Sequence, residues 1–365
     1  MAANNAFRIA VLPGDGIGVE VMESCLAVLD AVVAREPGLT LRFERHPGGA
    51  AHYRATGTAL SEEAFAAAAE ADAILFGAMG LPDVRYADGT EIAPQLDLRF
   101  RLELFAGVRP IRAVAGVRGP LASPHAAEID FVLIREQTEG LFAARGKGTI
   151  EDDRLARDTM VITRAGTARV AEFAFRLAER RAAARGRQGR VTCVDKANVF
   201  TSMAFFRRIF DEVAREHPRT RADHAYVDAA ALGFVQRPWE LDVVVTENMF
   251  GDILSDLGAA LIGGMGMAPS GDIGERHALF QPCHGSAPDI AGQGRANPTA
   301  MLLSAVMMLD WLGERHDVAA ATAAARRIER AVDACFRSGA IRPMELGGTD
   351  GTAAITRAVI AGLGS

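Results

Sequence analysis

The chain holds two lysines, Lys147 and Lys196, in 365 residues. Lys196 closes an apolar run in Val194-Asp-Lys-Ala-Asn198. A lysine at a strand end, between an aspartate and Asn198, is either a solvated cation or a general base. It becomes the base where burial or a nearby charge lowers its pKa. Carboxylates that could share that chemistry lie further on. Asp252 and Asp256 are four apart at the start of a helix expected from Phe250-Gly-Asp-Ile-Leu-Ser-Asp256, so both leave one helix face. Like charges there repel. They either decorate a helix N-terminus or, joined by Asp228 at the end of an expected strand Ala225-Tyr-Val-Asp228, ligate a hard divalent cation.

Arginines supply the complementary charge. Arg99, Arg101, Arg109 and Arg135 stand beside apolar segments, with Arg109 and Arg135 on expected strands. Singly, such an arginine is more often a surface ion-pairing residue. As a set, Arg99, Arg109 and Arg135 suit a di- or tricarboxylate, because a guanidinium binds a carboxylate bidentately. Two small-residue stretches suit a nucleotide. In His284-Gly-Ser-Ala-Pro-Asp-Ile-Ala-Gly292, small residues permit close backbone approach, and Asp289 is placed to accept from ribose hydroxyls. Leu12-Pro-Gly-Asp-Gly-Ile-Gly18 follows a strand, but its glycines read GxGxG, not the dinucleotide GxGxxG, and a tight strand-to-helix turn explains it equally well.

Elements must position these groups. Strands are expected at Phe7–Leu12, Leu41–Arg45, Ala73–Phe76, Gly107–Arg112, Ile129–Arg135, Asp158–Thr163, Val191–Asp195, His224–Val227 and Leu241–Thr246. Helices are expected at Gly18–Arg35, Glu62–Ala71, Arg164–Arg185, Phe200–His217, Gly251–Gly263, Pro298–Leu312 and Val318–Ser338. Alternating strands and helices predict an α/β fold. Gly140 to Asp153 is polar and aperiodic, an excursion from the main body. Gly263 to Pro282, with five glycines and two prolines, reads as a binding loop.

Composition bounds the partners. The formal charge is −6, which excludes a broad basic surface for nucleic acid. Four scattered cysteines without metal spacing read as reduced thiols. No export signal opens the chain and no run is long enough to span a bilayer, so a cytoplasmic protein is expected.

Taken together, LPGDGIG, Thr246-Glu-Asn-Met-Phe-Gly-Asp-Ile-Leu-Ser-Asp256, HGSAPDIAG and Glu345-Leu-Gly-Gly-Thr-Asp-Gly-Thr352 resemble the β-decarboxylating dehydrogenases: isopropylmalate, isocitrate, homoisocitrate, tartrate and D-malate dehydrogenases. The NAD-dependent isopropylmalate branch is the nearest in motifs. The resemblance implies a two-domain fold with a large twisted mixed sheet, not a Rossmann fold. Residues 1–104 and 263–365 would form a larger cofactor-binding domain. Residues 105–262 would form a smaller one with the dimer interface and an arm at about 140–160. It also implies a homodimer with shared active sites, a small 2-hydroxy dicarboxylic acid as substrate, NAD, and Mg²⁺ or Mn²⁺.

Carried over residue by residue, Arg99, Arg109 and Arg135 match the substrate-carboxylate arginines. Lys196 matches the lysine acting across the interface, and Asp228, Asp252 and Asp256 match the metal ligands, Asp228 also having a catalytic part. Asn198, His284, Gly285, Ser286, Ala287, Asp289 and Asn297 fall on cofactor positions. Aspartate at 289 resembles the NAD-using branch, since the NADP-using branch has lysine and then tyrosine at Asp289 and Ile290. Two positions depart. The family's C3 proton donor, a tyrosine, is Phe142 here, which has no proton to give. Where isopropylmalate enzymes present two leucines, this chain has Gln95 and Leu96. A glutamine against an isopropyl group leaves amide hydrogen bonds unmade, at about 1–3 kcal/mol. A shorter or hydroxylated side group would suit it better. Phe142 leaves three expectations open: water or Lys196 protonates C3 instead, decarboxylation is slow or absent as in a tartrate- or D-malate-type enzyme, or the substrate differs; a rival from another class is a ligand-binding homologue.

Overall fold

The computed structural model describes residues 5–364. The opening Met1-Ala-Ala-Asn, part of the segment read for an export signal, lies outside the described residues. The chain divides into two compact units: Met1–Leu102, Val114–Gly119 and Ile262–Ser365 in the first, Glu103–Ala113 and Pro120–Leu261 in the second.

The first unit opens with β1 (Ala6–Leu12), α1 (Ile17–Val33), β2 (Thr40–Arg45), α2 (Ala50–Thr56), α3 (Glu62–Glu70), β3 (Ala73–Phe76) and α4 (Pro94–Arg101). The second is built from β4 (Ala106–Arg112), β5 (Asp130–Glu136), β6 (Thr149–Glu151), β7 (Leu155–Arg157), α5 (Arg164–Arg185), β8 (Arg190–Asp195), α6 (Thr201–Ala214), β9 (Arg221–Tyr226), α7 (Val227–Gln236), β10 (Val243–Thr246) and α8 (Asn248–Leu261). The chain then returns to the first unit with β11 (Pro269–Ile273), β12 (Ala278–Pro282), α9 (Thr299–His316), α10 (Ala319–Ser338) and α11 (Thr352–Gly362).

Within the first unit the strand order is β2-β1-β3-β12-β11. β1 runs parallel to β2 and β3, and β11 pairs antiparallel with β12. Ala73-Ile-Leu-Phe76 is buried at every position, as a parallel strand covered on both faces must be. α9 is apolar for most of its circumference and packs on β11 and β12 with α10 and α1 around it. Within the second unit the order is β4-β5-β10-β8-β9, with only β4–β5 antiparallel. Val243-Val-Val-Thr246 is wholly buried, and β-branched residues suit that position. The mixed α/β architecture is therefore the expected one.

Four expectations need correction. Gly263 to Pro282 is not a loop over half of its length: β11 and β12 form a hairpin whose ten strand residues are all buried. Small residues let it pack tightly. A Cβ at Gly271 would sit 3.1 Å from both Met307 Cε and the Phe280 ring. Asp158–Thr163 is no strand; the paired residues lie upstream, in the exposed β6–β7 hairpin. β9 ends at Tyr226, so Asp228 lies in the first turn of α7 instead of on a strand. α8 begins at Asn248, which puts Asp252 and Asp256 at its fifth and ninth positions. Dipole decoration of a helix N-terminus no longer accounts for them, because that effect fades within the first turn.

Packing of α9 against α10 leaves one carboxyl in difficulty. Burial, then Glu329 and Glu314, push Asp310 up to about 6, with Arg326 opposing. Such a group holds its proton more tightly folded than unfolded. It therefore destabilises the fold at neutral pH, and the penalty fades as the pH falls through about 6. Asp310→Asn should stabilise the fold at pH 7.5 by on the order of 1 kcal/mol after discounting for partial exposure, and raise the melting temperature accordingly. The gain should vanish near pH 4. Melting curves across that range check it, and a gain independent of pH would refute it.

Candidate active site

The second unit gathers charge where α8 packs on β4 and β5. In the β4–β5 register Gly107 lies opposite Arg135, and Arg109 is two residues along, so both arginines leave the same face. They are 5% and 3% exposed, which excludes the surface reading. Arg135 Nε and Nη2 donate to Asn248 Oδ1 at 3.0 and 2.7 Å, and Nη1 donates to Asp252. Glycine at 251 permits this approach, since a Cβ there would come within 2.6 Å of Arg135 Cγ. The buried Glu247 accepts from the backbone N–H groups of Met249 and Phe250 at 3.1 and 2.7 Å, tying down the start of α8. Its own burial pushes its pKa up.

Asp256 is held above its ordinary value, first by burial and then by Asp252 one turn away, with Arg135 and Arg109 opposing. Two carboxylates in that position gain from a cation, and an all-oxygen donor pair suits Mg²⁺ or Mn²⁺. The residues fit the metal that the sequence implies. The third aspartate is elsewhere. Asp228 accepts from Lys196 Nζ at 2.7 Å, and that bond holds its pKa below the usual range. Among the described residues no three His, Cys, Asp or Glu side chains are grouped to hold a metal.

Lys196 stands at the exit of β8, and its orientation has a visible cause. The preceding Asp195 is fully buried, takes both Nε and Nη2 of Arg207 at 2.7 and 2.8 Å, and accepts the Ala197 N–H at 2.8 Å. That fixes the turn from which Lys196 projects. Asn198 is exposed on the same turn. The Phe142 ring centroid lies 5.0 Å from Arg135 Cζ, so the ring packs on a guanidinium of the cluster. Asp195, Arg207, Glu247 and Asn248 were not singled out from sequence. Asp195 is adjacent to Lys196, Glu247 and Asn248 lie within the Thr246–Asp256 motif, and Arg207 carried no signal of its own.

In the first unit Arg99 is buried on α4 and donates Nε to Asp272 Oδ2 at 2.7 Å. Gln281 Nε2 donates to the same oxygen at 3.1 Å. Asp272 sits in the segment read as a loop, which is why the pairing was illegible. Gln95 Oε1 is buried without a hydrogen bond, and Leu96 beside it is half-buried.

The two glycine-bearing stretches fold onto each other. Asp15 accepts from the N–H groups of Ala50, Ala51 and Gly80 at 2.7–2.8 Å, and the Ile17 N–H donates to Ser286 O at 2.8 Å. A Cβ at Gly16 would meet that Ser286 oxygen at 2.1 Å. The LPGDGIG glycines thus serve the turn and its packing. Beside this seam is a cavity of about 340 Å³, lined by Ile17, His284, Gly285, Ala287, Asn297 and Glu345 among others. His284 Nε2 is buried with no partner, and Ala287 takes a left-handed φ of 36°. Such a backbone costs energy and persists where the surroundings hold it, often at ligand sites. Asn297 spends its amide internally, donating to Glu345 Oε1 at 2.7 Å and accepting from the Thr299 N–H and hydroxyl. Asp289 is exposed. Small residues, a cavity and an orphaned imidazole nitrogen fit a nucleotide cofactor.

Comparison with known proteins adds a separate line of evidence. The sequence profile described as isocitrate/isopropylmalate dehydrogenase matches residues 8–360. The chain is 43% identical over 350 residues to the 3-isopropylmalate dehydrogenase of Methanothermobacter thermautotrophicus, covering 95% of each chain. It is 42% identical to the 3-isopropylmalate/3-methylmalate dehydrogenase of Methanocaldococcus jannaschii, covering 93% of this chain and 94% of that one. Among solved structures, the isocitrate dehydrogenase from Methylococcus capsulatus superposes with a TM-score of 0.84 at 34% identity, over 98% of this chain and 100% of that one. The TT0538 protein from Thermus thermophilus gives 0.86 at 36% identity, over 98% of this chain and 68% of that one.

Proposed function

The chain belongs to the isocitrate/isopropylmalate dehydrogenase family, and on that premise we propose that it catalyses NAD- and divalent-metal-dependent oxidative decarboxylation of an (R)-malate-like 2-hydroxy dicarboxylic acid of the isopropylmalate type. The observation that carries this is the buried pair Arg109 and Arg135 beside Asp252 and Asp256 on α8. A carboxylate receptor next to an oxygen-donor cation site matches a substrate with two carboxylates and an adjacent hydroxyl.

A bound Mg²⁺ or Mn²⁺ would supply Lewis acidity toward the C1 carboxylate and C2 oxygen, held by Asp252 and Asp256 with Asp228 from a second copy. Arg109 and Arg135 hold the substrate carboxylates, the role the resemblance also gives Arg99. Lys196 takes the C2 hydroxyl proton, and a bound NAD would supply the hydride acceptor for C2. Phe142 offers no proton for C3 once CO2 has left. Lys196, then an ammonium, returns the proton it took, which balances the cycle.

A homodimer with shared sites is proposed because, among the described residues, Asp228 is not grouped with Asp252 and Asp256 to hold a metal. The exposed β6–β7 hairpin is the proposed arm, its Ile150 and Leu155 being 76% and 43% exposed. Residues 1–104 and 263–365 are proposed to bind the cofactor, and residues 105–262 to form the dimer face. Nothing favours nucleic acid as a partner, given the net charge of −6. Among the described residues no helix is long and apolar enough to cross a membrane.

NADH formation with Mn²⁺ over 3-isopropylmalate, 3-methylmalate, D-malate and tartrate tests the reading, and silence on all four would sink it. NAD should be preferred over NADP by at least about tenfold in kcat/KM, because a 2′-phosphate beside Asp289 sets like charges together. Equal use of NADP would remove Asp289 from its role. Gln95→Leu should raise kcat/KM for 3-isopropylmalate relative to 3-methylmalate by roughly tenfold, since it removes the unpartnered amide oxygen.

A further inference from the structure

We propose that the second unit carries another small-molecule site, for an α-amino acid with a branched aliphatic side chain, between α7 and the strands β8, β9 and β10. A cavity of about 250 Å³ lies there. That is below the usual range for drug-sized ligands and suits a compact metabolite. Its floor is apolar, with Val194, Ala225, Ala230, Phe234 and Val244. Its rim carries both signs of charge: Arg190 and Arg237, Asp223 and Glu240.

The rim charges are poorly matched to one another. Arg190 Nε is 3.5 Å from Asp223 Oδ2, and Arg237 Nη1 is 3.5 Å from Glu240 Oε2. Charge-assisted hydrogen bonds are ordinarily shorter, about 2.7–2.9 Å. Arg190 Nη2 donates to Glu240 O at 2.6 Å, but its Nε is buried and makes no hydrogen bond. Asp223 Oδ1 already accepts from Arg221 Nε at 3.0 Å, which leaves Glu240 as the acid open to a ligand, and a ligand carboxylate on Arg190 with an ammonium against Glu240 would satisfy both signs. The aliphatic side chain would then cover the floor. A ligand of one sign would leave half of the rim unmatched.

Gly233 supplies an independent argument. A glycine inside a helix costs stability relative to alanine. Here a Cβ would meet nothing within 4 Å, so no clash demands the glycine. Its effect is to leave the cavity open. The outward stripe of α7, Leu232 and Val235, is a different face, exposed at 56% and 46%.

Calorimetric titration and melting of the full chain with L-leucine and L-valine test the proposal. 4-Methylpentanoate and 3-methylbutylamine each supply one of leucine's two charges. Leucine or valine should bind the wild type and Gly233→Ala. Binding should weaken by at least about tenfold for both single-charge analogues, for Gly233→Leu and for Arg190→Gln. No heat and no melting shift with either amino acid at millimolar concentration would overturn the proposal. So would a single-charge analogue that binds as tightly as leucine, or undiminished binding by Gly233→Leu. If Gly233→Leu does not fold, Arg190→Gln decides, and unchanged binding there overturns the proposal equally. None of these readouts depends on the dehydrogenase activity.

Discussion

Lys196→Ala should lose about 10³-fold or more in kcat while melting close to the wild type. Removing a positioned general base typically costs about 10²–10⁴-fold, and here the same group is asked to return the proton to C3. Structural damage should be slight. The Lys196–Asp228 pair is partly exposed, and pairs of that kind contribute little to stability. The turn itself is held by Asp195 and Arg207, which the substitution leaves intact. A second experiment tests whether the site is shared. Inactive Lys196→Ala chains mixed with inactive Asp252→Asn chains should recover activity toward about a quarter of wild type, because random pairing gives each heterodimer one intact site. No recovery after verified subunit exchange would refute sharing, and a Lys196→Ala chain with near-normal turnover would refute the base.

Asp252→Asn should likewise lose about 10²–10³-fold in turnover, and chelation of the wild type should bring it to a similar level. The reason is electrostatic. Lewis-acid stabilisation of developing charge is worth several kcal/mol, and an amide oxygen carries no formal charge with which to hold the cation. Mn²⁺ titrated into the variant should bind at least about tenfold more weakly, a readout independent of catalysis. The fold should tolerate the change, since Arg135 keeps both bonds to Asn248 and Asp256 loses its like-charged neighbour. Unchanged Mn²⁺ affinity and turnover would remove Asp252 from the metal site.

The motif residues and most of the elements were legible because they rest on local patterns. Helical periodicity marked Arg164–Arg185 to the residue, and apolar runs marked β1, β3 and β10. Short helices such as α2 and α4, of seven and eight residues, carry too few turns for a period to show. The β11–β12 hairpin was misread for a different reason. Its glycine, serine and proline look like loop residues until α9 covers them, and only tertiary packing makes small size an advantage in a strand.

The same division runs through the site. Sequence by itself determined which side chains could do chemistry, since charge, proton affinity and metal preference belong to residue types: Lys196, the three arginines and the three aspartates. Tertiary structure decided what each is next to. Arg99 is tied to Asp272 across 173 residues of sequence. Arg135 is locked by Asn248, Lys196 is paired with Asp228, and the LPGDGIG turn is seated on Ser286. Those partners lie far apart along the chain, and no spacing rule reaches them. Their positions depend on strand order and on how helices pack on the sheet, which are properties of the folded chain.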